Sequence, residues 1–261
     1  MDGTLLNGKK EMPANIFEVI DRLHQRGIVF AVASGRGHLS LLKIYDQIKD
    51  EIIFIAGNGS IIINQGEIIF TDPLKPEVVR EIVETITKVS TLKPTLSGLH
   101  SVYLFEENIL TDISPALFAS HFPSYTIIKS IEDIPADEQI LQISIFDPAG
   151  NSKENAYNKL KHLNERCHLA ISEAHWLDIA NIGVNKGVAI QKLQRIFEAS
   201  AEETMVFGDE LNDYEMMQQA YYSYAMANAI PEIKQISNFL APSNEEQGVI
   251  RILENFLTIT E

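Results

Sequence analysis

Cysteine is almost absent: Cys167 stands alone in 261 residues. No internal disulfide can form, and a zinc site built from several thiolates is excluded. Cys167 reads as a buried structural thiol. Basic residues are also scarce, with 21 Lys and Arg against 36 Asp and Glu for a formal charge of −15. That field repels nucleic acid and anionic membranes, so neither is expected as a partner. No apolar run approaches the roughly 18 to 20 residues of a membrane span, and no basic, apolar leader opens the chain. A cytoplasmic protein is expected. What the chain does have is 45% hydrophobic content, enough to build one elaborate domain or two moderate ones. Its acidic clusters could hold a divalent cation, which would reverse the local field and admit an anionic ligand.

Residues 13–26 begin with Pro13 at a helix start, place Ile16, Val19, Ile20 and Leu23 on one face and stop at Gly27, which predicts an amphipathic helix. The apolar run 28–33 suits a strand buried on both faces and ends in Ser34-Gly35-Arg36. A helix over 38–49 and a strand over 52–56 repeat the pattern and end in Gly57-Asn58-Gly59-Ser60. Alternating helices and buried strands predict a parallel α/β sheet, with its ligand site outside the carboxyl ends of the strands, where each polar turn falls. A hairpin follows over 61–70, and Pro73 and Pro76 punctuate a boundary near residue 74.

From 75 to 183 the rhythm changes. A helix carrying Val79, Ile82, Val83 and Ile86, strands over 101–105 and 139–146, a polar helix over 152–166 and two closing strands over 168–180 form an α+β module. The α/β rhythm resumes at Lys186, so the second module is inserted into the first.

Gly208-Asp209-Glu210-Leu211-Asn212-Asp213 follows a buried strand and sets two carboxylates and an amide on a short turn. Mg2+ takes one or two carboxylates with waters and phosphate oxygens, so Asp209 and Asp213 could serve it. The plainer reading makes Asp213 a helix cap and Asp209 a turn residue. Lys186 opens a helix after Asn185, where the helix dipole is already positive and an anion would relieve the conflict; the alternative is an exposed lysine. Ser34 and Gly35 could grip a phosphate oxygen through a hydroxyl and a backbone amide, or Ser34 could cap a helix.

Met1-Asp2-Gly3-Thr4-Leu5-Leu6 completes an ordered set with Ala33-Ser34-Gly35-Arg36, Asn185-Lys186-Gly187 and Gly208–Asp213. In that order the four turns resemble the motifs of the haloacid dehalogenase superfamily. The long insert between the second and third is similar to the cap of its Cof-type phosphatases. The stretches Gly57-Asn58-Gly59 and Ala225–Ala229, with Asn244 and Gly248, extend the likeness along the whole chain. The resemblance implies a Rossmann-like parallel-sheet core over 1–74 and 184–261, an α+β cap domain over 75–183, and hydrolysis of a small phosphorylated metabolite with Mg2+.

The resemblance also implies roles. Asp2 would be the general acid/base, with its carbonyl on the metal. Lys186 would neutralise the phosphoryl charge, Ser34 and Gly35 would hold the phosphate beside Asn58 and Asn212, and Asp209 and Asp213 would bind Mg2+. The family's first motif is D-x-D, and its first aspartate attacks phosphorus. Here x is Met1, so the nucleophile and an apolar strand are expected to precede it, and residues 1–261 alone are expected to be inactive. A phosphomutase would need basic cap residues to hold a second phosphate, and the cap has two arginines, Arg80 and Arg166. A non-catalytic metal or phosphate-binding protein is the other alternative. A receiver domain shares the acidic residues, hydroxyl and lysine but not the insert or the motif order.

Overall fold

The structure is a computed structural model and describes residues 1–108, 122 and 124–259. The first helix, α1 (Ile16–His24), buries Ile16, Val19, Ile20 and Leu23, one residue in three or four, as a single apolar face requires. It leads into β1 (Ala31–Ala33), α2 (His38–Ile44) and β2 (Ile53–Ala56), and then β3 (Ile61–Asn64) and β4 (Glu67–Thr71). β1 and β2 are parallel, with Ala31 opposite Ile53, whereas β2, β3 and β4 run antiparallel in that order. The hairpin between β3 and β4 turns on Gln65 and Gly66, both at positive φ, the geometry that suits the twist of a two-residue loop.

The next segment comprises α3 (Pro76–Ile86), β5 (Lys93–Gly98), β6 (Val102–Phe105), β7 (Tyr125–Ile128), β8 (Ile140–Phe146), β9 (Cys167–Glu173) and β10 (Trp176–Asn181). Its strands form one sheet in the order β7-β6-β5-β8-β10-β9, with β6 and β7 parallel and the other neighbours antiparallel. The single polar helix expected over 152–166 is instead a succession of short helical turns over 153–163. Asparagine favours side-chain bonds over helix, and Asn155 donates to the Asp147 carboxylate at 2.8 Å. The chain then runs through α4 (Lys186–Ile196), β11 (Met205–Gly208), α5 (Tyr214–Met217), β12 (Tyr222–Met226), α6 (Pro231–Ile236), β13 (Phe239–Ala241) and α7 (Gly248–Ile259). β11, β12 and β13 are parallel neighbours.

Burial divides the described residues into two large clusters. One joins residues from both ends of the chain, such as Ile20, Phe54, Val206 and Leu253. The other lies within 74–179 and packs α3, through Val78, Ile82 and Ile86, on Ile143, Ile145, Leu177 and Ile179 of the six-stranded sheet. Each such aliphatic side chain contributes about 1.5–3 kcal/mol by leaving water.

The parallel sheet, expected as one layer, occurs as two pieces. β1 ends one piece and β11 ends the other, and among the described residues no strand pairs with both. Residues 1–6 form a tight turn in which the amides of Thr4, Leu5 and Leu6 all donate to the Met1 carbonyl. An apolar groove of about 740 Å³, lined by Met1, Phe30, Val32, Leu193, Val206 and Phe207 among others, separates the two edges.

Candidate active site

A second cavity, about 630 Å³, opens between the α/β core and the six-stranded sheet, and the sequence motifs line its floor. Asp209 lies just beyond the carboxyl end of β11. Its neighbour in the same turn, Asp213, is almost wholly buried and accepts the Asp209 amide at 2.9 Å and the Glu210 amide at 3.3 Å on one carboxylate oxygen. The other oxygen takes the Lys186 Nζ at 2.6 Å, with both side chains under 5% exposed. Burial alone would raise the Asp213 carboxyl, but Lys186, then the Met1 ammonium and the Asp209 amide, override it and hold the group below its ordinary range. Asp213 thus closes a capping box for its own turn and anchors the cation, and Lys186 is not an exposed lysine.

Lys186 is delivered by α4, whose first turn is capped by Asn185 accepting the Val188 amide at 2.8 Å. The preceding loop packs tightly: Gly59 sits at φ +106 and a Cβ there would come within 2.6 Å of the Asn185 carbonyl, so only glycine fits. Beside it, Asn58 adopts the left-handed conformation and accepts the Asn212 Nδ2 at 3.0 Å. These two amides stand over Gly35, where a Cβ would lie 3.2 Å from Asn58 Oδ1 and 3.6 Å from Asn212 Nδ2. Ser34 is buried and accepts the Arg36 amide at 3.1 Å on its hydroxyl. It makes a local turn instead of a helix cap, since α2 starts after Gly37.

Asp2 meets a partner that the sequence reading had not assigned. Arg36 forks onto its carboxylate, Nε to Oδ2 at 2.9 Å and Nη2 to Oδ1 at 2.8 Å, and Lys10 adds a third contact at 3.0 Å. Partial burial opposes ionisation, but the two cations outweigh it and hold the carboxyl far below its usual range. In this arrangement Asp2 is ionised and a weak base; taking up a proton, and later donating it, requires release from Arg36 and Lys10.

The turn at 2–4 also folds over Asp209. Thr4 Oγ1 donates a short hydrogen bond to Asp209 Oδ1, and Gly3, at φ +69, lets the backbone approach so closely that a Cβ would overlap the Asp209 carboxylate. Asn228 donates to the Gly3 carbonyl at 2.8 Å, and Asn244 donates to the Leu6 carbonyl at 2.9 Å. The stretches around 225–229 and 244 therefore pin the first turn, a task their composition does not announce.

Burial and the nearby Asp213 push the Asp209 carboxyl upward despite its bond from Thr4, so a cation beside it would relieve a charge that is costly as it stands. Among the described residues no group of three or more His, Cys, Asp or Glu side chains is arranged to hold a metal. Two carboxylates on one turn, with room in the cavity for waters and phosphate oxygens, fit Mg2+ better than an ion needing an all-protein cage.

The described residues contain no helix long and apolar enough to cross a membrane. The model of the haloacid dehalogenase-like hydrolases matches residues 1–253. A 5-amino-6-(5-phospho-D-ribitylamino)uracil phosphatase of Escherichia coli is 27% identical, over 98% of this chain and 94% of its own length. An HMP-PP phosphatase of Cronobacter sakazakii is 30% identical, over 89% and 84%. Among solved structures, SMU.1108c of Streptococcus mutans superposes with a TM-score of 0.85 at 29% identity, covering 99% of this chain and 97% of its own. Motif order, fold and relatives agree: the chain belongs to the haloacid dehalogenase-like hydrolases.

Proposed function

We propose that the protein is a Mg2+-dependent phosphatase of small phosphorylated metabolites, sugar phosphates or similar esters, acting through an aspartyl phosphate. Its core would be residues 1–74 and 184–261, its cap 75–183, and its setting the cytoplasm. The observation that carries this reading is the convergence of Ser34, Asn58, Lys186, Asp209, Asn212 and Asp213 on the floor of one cavity. Phosphoryl transfer asks mainly for charge neutralisation and positioning, which such a set supplies.

In this reading the Ser34 hydroxyl and the Gly35 amide hold phosphate oxygens, with the Asn58 and Asn212 amides beside them. Lys186, kept in place by Asp213, offsets the charge on phosphate and nucleophile. Asp209, Asp213 and the Asp2 carbonyl would hold Mg2+, whose contribution is to neutralise the phosphoryl group. Asp2 would move the proton once the ester draws Arg36 and Lys10 away from its carboxylate. The nucleophilic aspartate would stand two residues before Asp2, on an apolar strand that the groove between β1 and β11 could accept. The cap arginines favour hydrolysis over a mutase: Arg80 pairs with Glu132 and Arg166 with Glu81, and neither lines the cavity.

The test compares residues 1–261 with a version extended upstream by an apolar strand ending in that aspartate. The extended protein should release phosphate from p-nitrophenyl phosphate and lose the activity in EDTA, whereas residues 1–261 should show none. Equal Mg2+-dependent turnover by both would move the nucleophile to Asp2. Absence of turnover in both would favour the non-catalytic alternative.

A further inference from the structure

The two large hydrophobic clusters meet along a narrow joint. The chain leaves the core after β4 and returns after β10, and the two crossings are tied to each other: the Asp72 amide donates to the Ser60 carbonyl at 2.8 Å, and Asn181 Nδ2 donates to Asp72 Oδ1 at 2.6 Å. β8, part of the cavity's roof, straddles the same boundary. Leu141 belongs to the core cluster, whereas Ile140, Ile143 and Ile145 belong to the cluster under α3. Gln142 lies between them and reaches the turn Gly57–Ser60, where a Cβ on Gly57 would stand 3.2 Å from Gln142 Oε1 and would overlap Ser60 Oγ.

Hydrogen bonding is least complete at this joint. Among the described residues four buried side-chain polar atoms have no hydrogen-bond partner, and three of them, Ser60 Oγ, Gln142 Oε1 and Asn181 Oδ1, lie here. Ser60 and Gln142 are at most 4% exposed, and a buried polar atom left unpaired is costly. Yet the two complement each other. Ser60 has a proton to give, and Gln142, whose Nε2 is turned to Ser144 Oγ at 3.4 Å, has an oxygen to receive it. They stand on opposite sides of the joint beside one glycine, so a small displacement of either side makes the bond.

The turn that carries Ser60 is coupled to the cavity floor. The Asn58 amide donates to the Ser34 carbonyl at 3.0 Å and the Gly57 amide to the Arg36 carbonyl at 2.9 Å. A ligand that engages Ser34, Gly35 and Asn58 therefore acts on both turns together, and Ser60 follows two residues behind Asn58.

We propose that Ser60 and Gln142 are positioning residues for the phosphate-binding turns, joined by a hydrogen bond that forms when phosphate engages those turns. In the arrangement described the bond is open. The anion draws the two turns toward itself, brings the Ser60 hydroxyl onto Gln142 Oε1, and so fastens the six-stranded sheet to the occupied floor. Phosphate favours the bonded arrangement only by binding it more tightly, so the bond and the affinity are linked. This rests on the phosphatase reading, since phosphate is the ligand that moves the turns.

Titration calorimetry of residues 1–261 with inorganic phosphate and Mg2+, beside thermal unfolding of the free protein, tests this without requiring turnover. Ser60→Ala removes a hydroxyl that is unpaired before phosphate binds, so the unfolding temperature should hold or rise while phosphate binds about fivefold more weakly. Gln142→Met keeps the length of the side chain without its acceptor and should do the same. Because each removes the same bond, the double variant should also lose only about fivefold. A packing role would instead lower the unfolding temperature and leave affinity alone. That outcome, or wild-type affinity in both single variants, or losses that multiply in the double variant, would overturn the joint and leave the phosphatase reading standing. Failure of inorganic phosphate to bind the unsubstituted chain would overturn both.

Discussion

The floor and the roof of the cavity are built on opposite principles. On the floor, charges are tied to one another inside the protein: Lys186 to Asp213, Arg36 to Asp2, Thr4 to Asp209. The buried Lys186–Asp213 pair cannot be parted cheaply, so this part of the floor is in place before any ligand arrives, whereas the partly exposed Asp2 pair can open. The roof carries one short hydrogen-bonded row on a sheet whose other face does the packing. Buried charge pairs and a polar row on a packed sheet are thus different kinds of structure facing one cavity.

The largest effect should come from the floor. Lys186→Ala leaves Asp213 buried without its cation, at a cost of about 3–5 kcal/mol. In a chain of this size that is a fall of roughly 10 °C in unfolding temperature, and phosphate release by the extended protein should drop about 10²-fold or more. Calorimetry and a phosphate assay check the two numbers. Ile143→Ala, on the packing face of the roof, should cost about 2–5 kcal/mol in denaturant titration. Phosphate binding should survive, because no floor residue is touched. A smaller loss, about 1–3 kcal/mol, is expected for Gly3→Ala, where a positive φ and the Asp209 carboxylate both oppose a Cβ. Weaker Mg2+ binding should accompany it.

Ser144→Ala sits on the cavity face of the same strand as Ile143. It should cost only about 1–2 kcal/mol, since the hydroxyl makes one close hydrogen bond, to Asp178, and one long one, from Gln142. If Ser144→Ala destabilises as much as Ile143→Ala, the division of labour between the two faces is wrong. The smallest effect concerns Cys167, which is buried, its thiol pushed up to about 11 by burial. Below pH 8 it should resist alkylation until the protein unfolds. With the folded value above the unfolded one, the stabilisation is complete below about 8.5 and is lost as pH rises through about 11. Cys167→Ala should flatten that alkaline slope.

The floor was legible because its parts are local. Six consecutive residues, Gly208–Asp213, contain both carboxylates and the amides that Asp213 accepts, and Asn185-Lys186 is a helix start in two letters. What sequence could not give was the pairing between motifs. Arg36 and Asp2 were both visible, yet their fork spans 34 positions, and the bond from Asn244 to Leu6 spans 238. The roof was harder still. β5 contains Pro94 and Gly98, which break its strand signature. Alternation in β8 and β10 marks two faces without saying which strand lies beside which, so the meeting of Ser144 with Asp178 depends on register alone.

That alternation has a consequence for descent. Along β8 and β10 the odd positions, Ile143, Ile145, Leu177 and Ile179, carry the stability of the segment, and the even positions Gln142, Ser144, Trp176 and Asp178 line the cavity. A heritable change at an even position can alter what is bound while the fold keeps its margin, because the two sets of side chains never share a face. Lineages that diverge in substrate should therefore accumulate differences in a comb pattern, every second residue drifting between teeth of constant aliphatics. A library randomised at 142, 144, 176 and 178 should yield mostly folded proteins, and one randomised at 143, 145, 177 and 179 mostly unfolded ones.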